Sequence, residues 1–173
     1  MKPGRTITYL AALFLLCTAL QGNAQTTPRI LMEVGNTRHE FGDYRGAIEA
    51  FTLAIEYNPG YMLAFNNRGI SRMMTGDDRG AIEDFSSALE ISAEYLPAYL
   101  NRAASSYNLG NYYGAIEDYG KVIDLDPENA IAWYGRGISH IQIKYFVGAC
   151  EDLGTALDLG YELAGEQFRE HCR

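Results

Sequence analysis

Residues 42–57 read GDYRGAIEAFTLAIEY, residues 76–91 read GDDRGAIEDFSSALEI, residues 110–125 read GNYYGAIEDYGKVIDL and residues 144–159 read KYFVGACEDLGTALDL. The four stretches are 34 positions apart. Ala47, Ala81, Ala115 and Ala149 recur at that interval, as do Gly42, Gly76 and Gly110, and the bulky series Phe51, Phe85, Tyr119 and Leu153. A period of this length means stacked helical hairpins, each unable to bury its apolar face without a neighbour.

Four registers follow, 28–61, 62–95, 96–129 and 130–163, with a short segment, 164–173, after them. Each register has a small residue at its eighth place (Gly35, Gly69, Ala103, Gly137) and another at its twenty-seventh (Ala54, Ala88, Val122, Ala156). Small side chains there let two antiparallel helices approach, while the bulky twenty-fourth place fills the wedge between hairpins. Pro59 and Pro127 close the second helices of their registers, since proline cannot continue a helix. The pattern resembles the tetratricopeptide repeat family over residues 28–163. It departs at Leu31, where the family prefers Trp, at Ala93, where it closes with Pro, and at Lys144, where it turns on Gly. The expected fold is an all-α solenoid of four tetratricopeptide-type hairpins with a C-terminal capping helix.

The first residues read differently. Lys2 and Arg5 precede an apolar run from Tyr9 to Leu20, and Gly22-Asn23-Ala24 supplies small residues where a signal peptidase reads. Residues 1–24 are expected to be a signal peptide, leaving 25–173 as one domain that is periplasmic or secreted. A membrane anchor competes, but the run is short for a bilayer of about 30 Å. Lipoprotein anchoring through Cys17 is disfavoured by the large Leu16 before it. The formal charge is −8, and it becomes −10 once Lys2 and Arg5 are removed. Neither nucleic acid nor an anionic membrane surface suits so acidic a chain without a basic run.

Comparison of the registers shows a charge coupling. Where the seventh place is Arg (Arg68, Arg102, Arg136), the twenty-third is Asp (Asp84, Asp118, Asp152); where the seventh is Val34, the twenty-third is Ala50. An ion pair between the two helices of each hairpin is expected, with a cross-hairpin pairing of Arg102 with Asp84 as the alternative. Cleavage after Ala24 would leave two cysteines in an oxidising compartment. Cys150 stands at the twenty-first place, occupied elsewhere by Ile48, Ile82 and Ile116, and Ala164, Phe168 and Cys172 follow at helical spacing. A structural disulfide between Cys150 and Cys172 is the favoured reading, with two buried free thiols as the alternative.

Catalytic patterns are weak. His39, His140 and His171 have no ligand spacing, Asp124, Asp126 and Glu128 lack the rest of a calcium loop, and Gly135-Arg136-Gly137 has no preceding strand. No cofactor or metal is expected, and the chain reads as a non-enzyme. The resemblance instead implies a concave groove lined by successive first helices. Carried over place by place, it selects Asn36, Leu63, Asn67, Ile70, Met73, Leu100, Asn101, Tyr107, Tyr134 and Ile138, with Tyr107 and Tyr134 as exposed anchors that can be removed without loss of fold. Family members that hold acidic C-terminal tails use Lys, Asn, Asn, Lys and Arg; here those places are Met32, Asn36, Asn67, Pro97 and Asn101. The amides are kept and the cations are absent. The expected function is an exported interaction scaffold for a peptide or helix. A self-assembling stack, in which the chain is a homo-oligomer, and an accessory subunit of an envelope enzyme are the alternatives.

Overall fold

The computed structural model describes residues 26–172, so the expected signal peptide and Cys17 lie outside the described residues. Helix α1 occupies residues 26–40, followed by α2 (Tyr44–Tyr57), α3 (Met62–Met74), α4 (Asp78–Ile91), α5 (Leu96–Asn108), α6 (Tyr112–Leu125), α7 (Ala130–Gln142), α8 (Phe146–Asp158) and α9 (Ala164–His171). From α2 to α8 each helix starts at the same place of its register as its counterparts, so sequence period and structural period coincide. Contacts run between neighbours along the chain, and also directly from α3 to α5, α5 to α7 and α7 to α9. No such contact joins α2 to α4, α4 to α6 or α6 to α8. The first helices of the hairpins therefore stand closer together than the second helices, and their side of the stack is concave.

The hairpin turns explain why the helices stop where they do. Gly42, Gly76 and Gly110 take φ of 78°, 82° and 77°, the left-handed region open to glycine. Lys144 takes the fourth such position at φ 62°. The hydrogen bonds are the same in kind: Gly42 N donates to His39 O and Asp43 N to Arg38 O, as Lys144 N does to Ile141 O and Tyr145 N to His140 O. The missing glycine thus leaves the turn intact, at a backbone cost of about 1–2 kcal/mol. The next residue caps the second helix in three hairpins, with Asp43, Asp77 and Asn111 accepting from Gly46, Gly80 and Gly114 N. Tyr145 gives no such cap.

The core is a row of similar clusters. Ala47, Phe51 and Ala54 pack with Ala64 of the next hairpin, and Ala81, Phe85 and Ala88 pack with Ala98. Ala115, Tyr119 and Val122 pack with Ala132, and Leu153 and Ala156 with Ala164 of α9. The capping helix therefore inserts an alanine where the next hairpin would have done so. The bulky residue presses on the small eighth place of its own hairpin. A Cβ at Gly69 would meet Phe85 Cε1 at 2.6 Å, and one at Gly137 would meet Leu153 Cγ at 3.0 Å. In the third hairpin the eighth place is Ala103, in the same buried cluster as Tyr119, and the Tyr119 ring also lies against Gly135 of the following hairpin.

The charge coupling is realised within hairpins. Arg68, Arg102 and Arg136 each hold Asp84, Asp118 and Asp152 through Nε and Nη2, at 2.6–3.2 Å. The carboxylates are buried. The cross-hairpin alternative does not occur, but each of the first two arginines does reach backwards with its remaining nitrogen: Arg68 Nη1 donates to Thr52 Oγ1 at 3.1 Å and Arg102 Nη1 to Ser86 Oγ at 3.0 Å. The guanidinium also stacks on the residue three before it, over Phe65, Tyr99 and Trp133. One arginine thereby ties its own hairpin together and, where a hydroxyl is present, ties it to the hairpin before.

Candidate binding groove

Three of the groove amides belong to one hydrogen-bonded chain. Asn101 Nδ2 donates to Asn66 Oδ1 at 3.4 Å, Asn66 Nδ2 to Asn67 Oδ1 at 3.2 Å, and Asn67 Nδ2 to Asn36 Oδ1 at 2.9 Å. The chain crosses α1, α3 and α5, and its buried link, Asn66, stands at the fifth place of its register, one of the inner places that the resemblance implies. Beside it lies a recess of about 200 Å³ lined by Asn36, His39, Glu40, Phe51, Asn67 and Ile70. Ser71 Oγ donates its only proton to Asn67 O at 2.9 Å, so the 2.9 Å contact with His39 Nδ1 requires that nitrogen to be the donor. His39 is further fixed edge-on against Tyr44, ring centroids 5.1 Å apart.

The apolar residues selected for the groove divide by burial. Leu63 is exposed at 42%. Ile70 and Met73 are half-buried against the cluster of Phe85 and Ala98, Leu100 and Tyr107 against that of Tyr119 and Ala132, and Tyr134 and Ile138 against that of Leu153 and Ala164. The two tyrosine anchors are more engaged than the sequence suggests. Tyr107 packs edge-on with Tyr112 at 5.3 Å and accepts from Gln142 Nε2 at 3.2 Å, which links α5 to α7. Tyr134 packs at 5.0 Å on Tyr161, from the connection between α8 and α9. Both rings fill space between helices, so removing them is expected to destabilise the fold, against the reading that they are dispensable. The repeat register could not show this for Tyr134, because Tyr161 stands at a place that carries Pro59, Ala93 and Pro127 in the other registers.

Burial raises the pKa of the Tyr134 hydroxyl, and Tyr161, Tyr107 and Glu166 add to the effect. It pushes Tyr119 to about 12, with Tyr107, Tyr161 and Asp118 as lesser causes. Of the acidic-tail places, Met32 is buried in the first cluster, Pro97 is exposed beside the start of α5, and Asn101 belongs to the amide chain. Among the described residues no group of His, Cys, Asp or Glu is arranged to hold a metal ion, and no helix is long and apolar enough to cross a membrane.

Comparison with known proteins agrees with this architecture. The family model for the tetratricopeptide repeat matches residues 35–95 and a second, for the TPR repeat, matches residues 105–143. This chain is a tetratricopeptide repeat protein. The crystal structure of MamA protein is similar, with a TM-score of 0.75 and 21% identity over 83% of this chain and 85% of that one. The first TPR of Spaghetti (RPAP3), solved bound to the HSP90 peptide SRMEEVD, has a TM-score of 0.67 and 24% identity over 68% of this chain and 94% of that one. A tetratricopeptide repeat protein from Parabacteroides merdae has a TM-score of 0.75 and 24% identity over 84% of this chain and 61% of that one. At these identities the likeness is one of fold. No curated protein sequence matches the chain significantly.

Proposed function

We propose that this chain is an exported, non-catalytic scaffold whose concave face receives an extended or helical protein segment. The observation that carries the reading is the amide chain Asn101, Asn66, Asn67 and Asn36, which runs along the inner helices beside the recess at Ile70. Amides in a row can exchange their mutual bonds for those of a peptide backbone, while Leu63, Ile70 and Met73 give adaptable apolar contact. The first TPR of Spaghetti (RPAP3), solved bound to the HSP90 peptide SRMEEVD, supports peptide binding as a use of this fold. The ligand here would differ in chemistry, since Met32, Pro97 and Asn101 offer no cation for an acidic tail. Export rests on the reading of residues 1–24, and the approach of Cys150 to Cys172, Cα atoms 5.5 Å apart, is consistent with an oxidising compartment.

The test is cross-linking from a photoreactive residue at Leu63 in cells, with one at the outward-facing Glu83 as control, combined with Asn67→Ala. Capture from Leu63 alone, weakened by Asn67→Ala, is expected. Equal capture from both faces would remove the groove from consideration. N-terminal sequencing of the accumulated protein checks cleavage before Gln25, and non-reducing peptide mapping checks the Cys150–Cys172 bond.

A further inference from the structure

The eleventh place of the four registers reads Arg38, Arg72, Ser106 and His140. In three hairpins this side chain of the first helix lies over a buried glycine of the second, Gly46, Gly80 or Gly148, where an added Cβ would meet Arg38 Nη1, Arg72 Cδ or His140 Nδ1. The second hairpin shows what the cover does. Arg72 Nη1 donates to Gly80 O at 2.9 Å and lies 3.0 Å from Asp84 Oδ2, an oxygen that also accepts from Arg68 Nε at 3.0 Å. In the fourth hairpin His140 Nδ1 stands 3.0 Å from Asp152 Oδ2. The third hairpin has no such cover. Gly114 is only half-buried, and the atoms nearest to a Cβ added there are those of Asn111. A cavity of about 220 Å³ opens at this point. Its walls include Ser106, Asn111, Gly114 and Asp118, the counterparts of Arg72, Asp77, Gly80 and Asp84, so the empty space corresponds to the Arg72 guanidinium one hairpin earlier.

The exchange of Arg for Ser leaves polar groups open. Ser106 is 4% exposed and lines the cavity, yet its hydroxyl has no hydrogen-bond partner among the described residues. Asp118 is 5% exposed, and among the described residues its Oδ2 accepts only from Arg102 Nε, at 2.8 Å, where Asp84 Oδ2 meets two guanidinium groups. Glu117 brings a second carboxylate to the lining, against the single cation Arg102, which is already engaged with Asp118 and Ser86. The cavity is thus a small, net negative recess with an unused carboxylate lone pair and an unused hydroxyl. We propose that it binds a guanidinium cation supplied from outside the chain, in the place that Arg72 fills in the preceding hairpin. The planar fork of N–H groups suits the carboxylate of Asp118, with Ser106 Oγ and Gly114 O as further acceptors and Glu117 balancing the charge. The guanidinium belongs either to a free arginine-like molecule or to an arginine side chain of a partner protein. The walls come from α4, α5 and α6 and include none of the inner places, so this site stands apart from the concave groove.

Methylguanidinium chloride, titrated into the isotopically labelled protein against sodium chloride of equal ionic strength and followed by amide NMR, tests this. Saturable shifts centred on Gly114, Glu117 and Asp118 are expected, with a dissociation constant on the order of millimolar for so small a probe. Ser106→Arg, which supplies the missing cover from within, should weaken the binding at least about tenfold, because the tethered group competes at a high effective concentration. Arg72→Ser should open a second site, with new shifts at Gly80 and Asp84. Should Ser106→Arg prove unfolded by circular dichroism, Glu117→Gln on the exposed rim decides in its place, with binding expected to fall about threefold. L-arginine and its N-acetyl amide separate the two sources. Tighter binding of L-arginine assigns the site to a free molecule, and tighter binding of the blocked form assigns it to a partner's side chain. The proposal is overturned by shifts that never saturate, by equal binding of tetramethylammonium, which has no N–H to donate, or by binding that Ser106→Arg leaves unchanged. A folded Arg72→Ser variant that gains no second site overturns it as well.

Discussion

Among the described residues Asp118 is held by Arg102 alone, whereas Asp84 receives both Arg68 and Arg72, and Asp152 faces Arg136 with His140 Nδ1 at 3.0 Å. The third hairpin is therefore where a single pair can be measured. A double-mutant cycle with Arg102→Val and Asp118→Ala, the residues of the first hairpin, should give an interaction energy of about 0.5–3 kcal/mol in urea unfolding. Removing Arg102 alone should be worse than removing both, because it leaves a buried carboxylate unpaired. Additive losses would contradict the pairing. The same bond raises the Arg102 pKa against the opposing effect of burial. The pairing could be read from sequence because four registers act as comparisons for one another. Its backward reach could not, since the twenty-fifth place varies as Thr52, Ser86, Gly120 and Gly154. Tyr119 supplies a second test at this scale. Its hydroxyl ionises near 12 in the folded chain and near 10 once unfolded, so the unfolded state loses its proton first. The stabilisation is complete below pH 10 and falls as pH rises towards 12, by roughly 3 kcal/mol for a shift of this size. Tyr119→Phe should flatten that part of the stability curve; an unchanged alkaline slope would locate the sensitivity elsewhere.

Between elements, the helix seams respond to single carbon atoms. At Gly69 an added Cβ would lie 2.6 Å from the Phe85 ring, which is itself fully buried and has nowhere to retreat. Gly69→Ala should cost about 1–3 kcal/mol through overpacking. At Gly154, on α8, the nearest neighbour of an added Cβ is Phe168 Cε2 at 3.6 Å, an ordinary contact. Gly154→Ala should leave stability unchanged or raise it by up to about 1 kcal/mol through helix propensity. Thermal melts of the two variants side by side decide, and equal losses would mean that the seams are softer than their geometry implies. The repeat pattern identifies these small places, but it cannot show that Tyr119 leans on Gly135 of the next hairpin. That contact depends on how successive hairpins are set against each other, which the register does not contain.

Across the whole molecule, the period of 34 residues was enough to place seven helices, α2 to α8, in register, and the spacing of Ala164, Phe168 and Cys172 enough to anticipate the cap. The groove was legible only in outline. Asn36, Asn66, Asn67 and Asn101 stand at inner places, but the register does not show that their side chains bond to one another in a row, and the packing of Tyr134 involves Tyr161, at the place where Pro59 and Pro127 stand in other registers. Because each hairpin touches only its neighbours, stability should be graded along the stack and lowest at its uncovered end. Hydrogen exchange should therefore find α4 to α6 slowest and α1 fastest, with α9 intermediate. Its eight residues would exchange early if left to themselves, but Phe168 and Ala164 dock on the Leu153 cluster and Cys172 lies against Cys150. In the oxidised protein a bond across 22 positions restrains the unfolded cap by about 3 kcal/mol in the chain-entropy model. Reduction should then speed exchange in α9 and α8 by about a hundredfold, the rate equivalent of that energy where opening is local, and leave α3 unchanged. Exchange that accelerates equally in all helices would show that the stack opens as one unit and that the cap governs the whole of it.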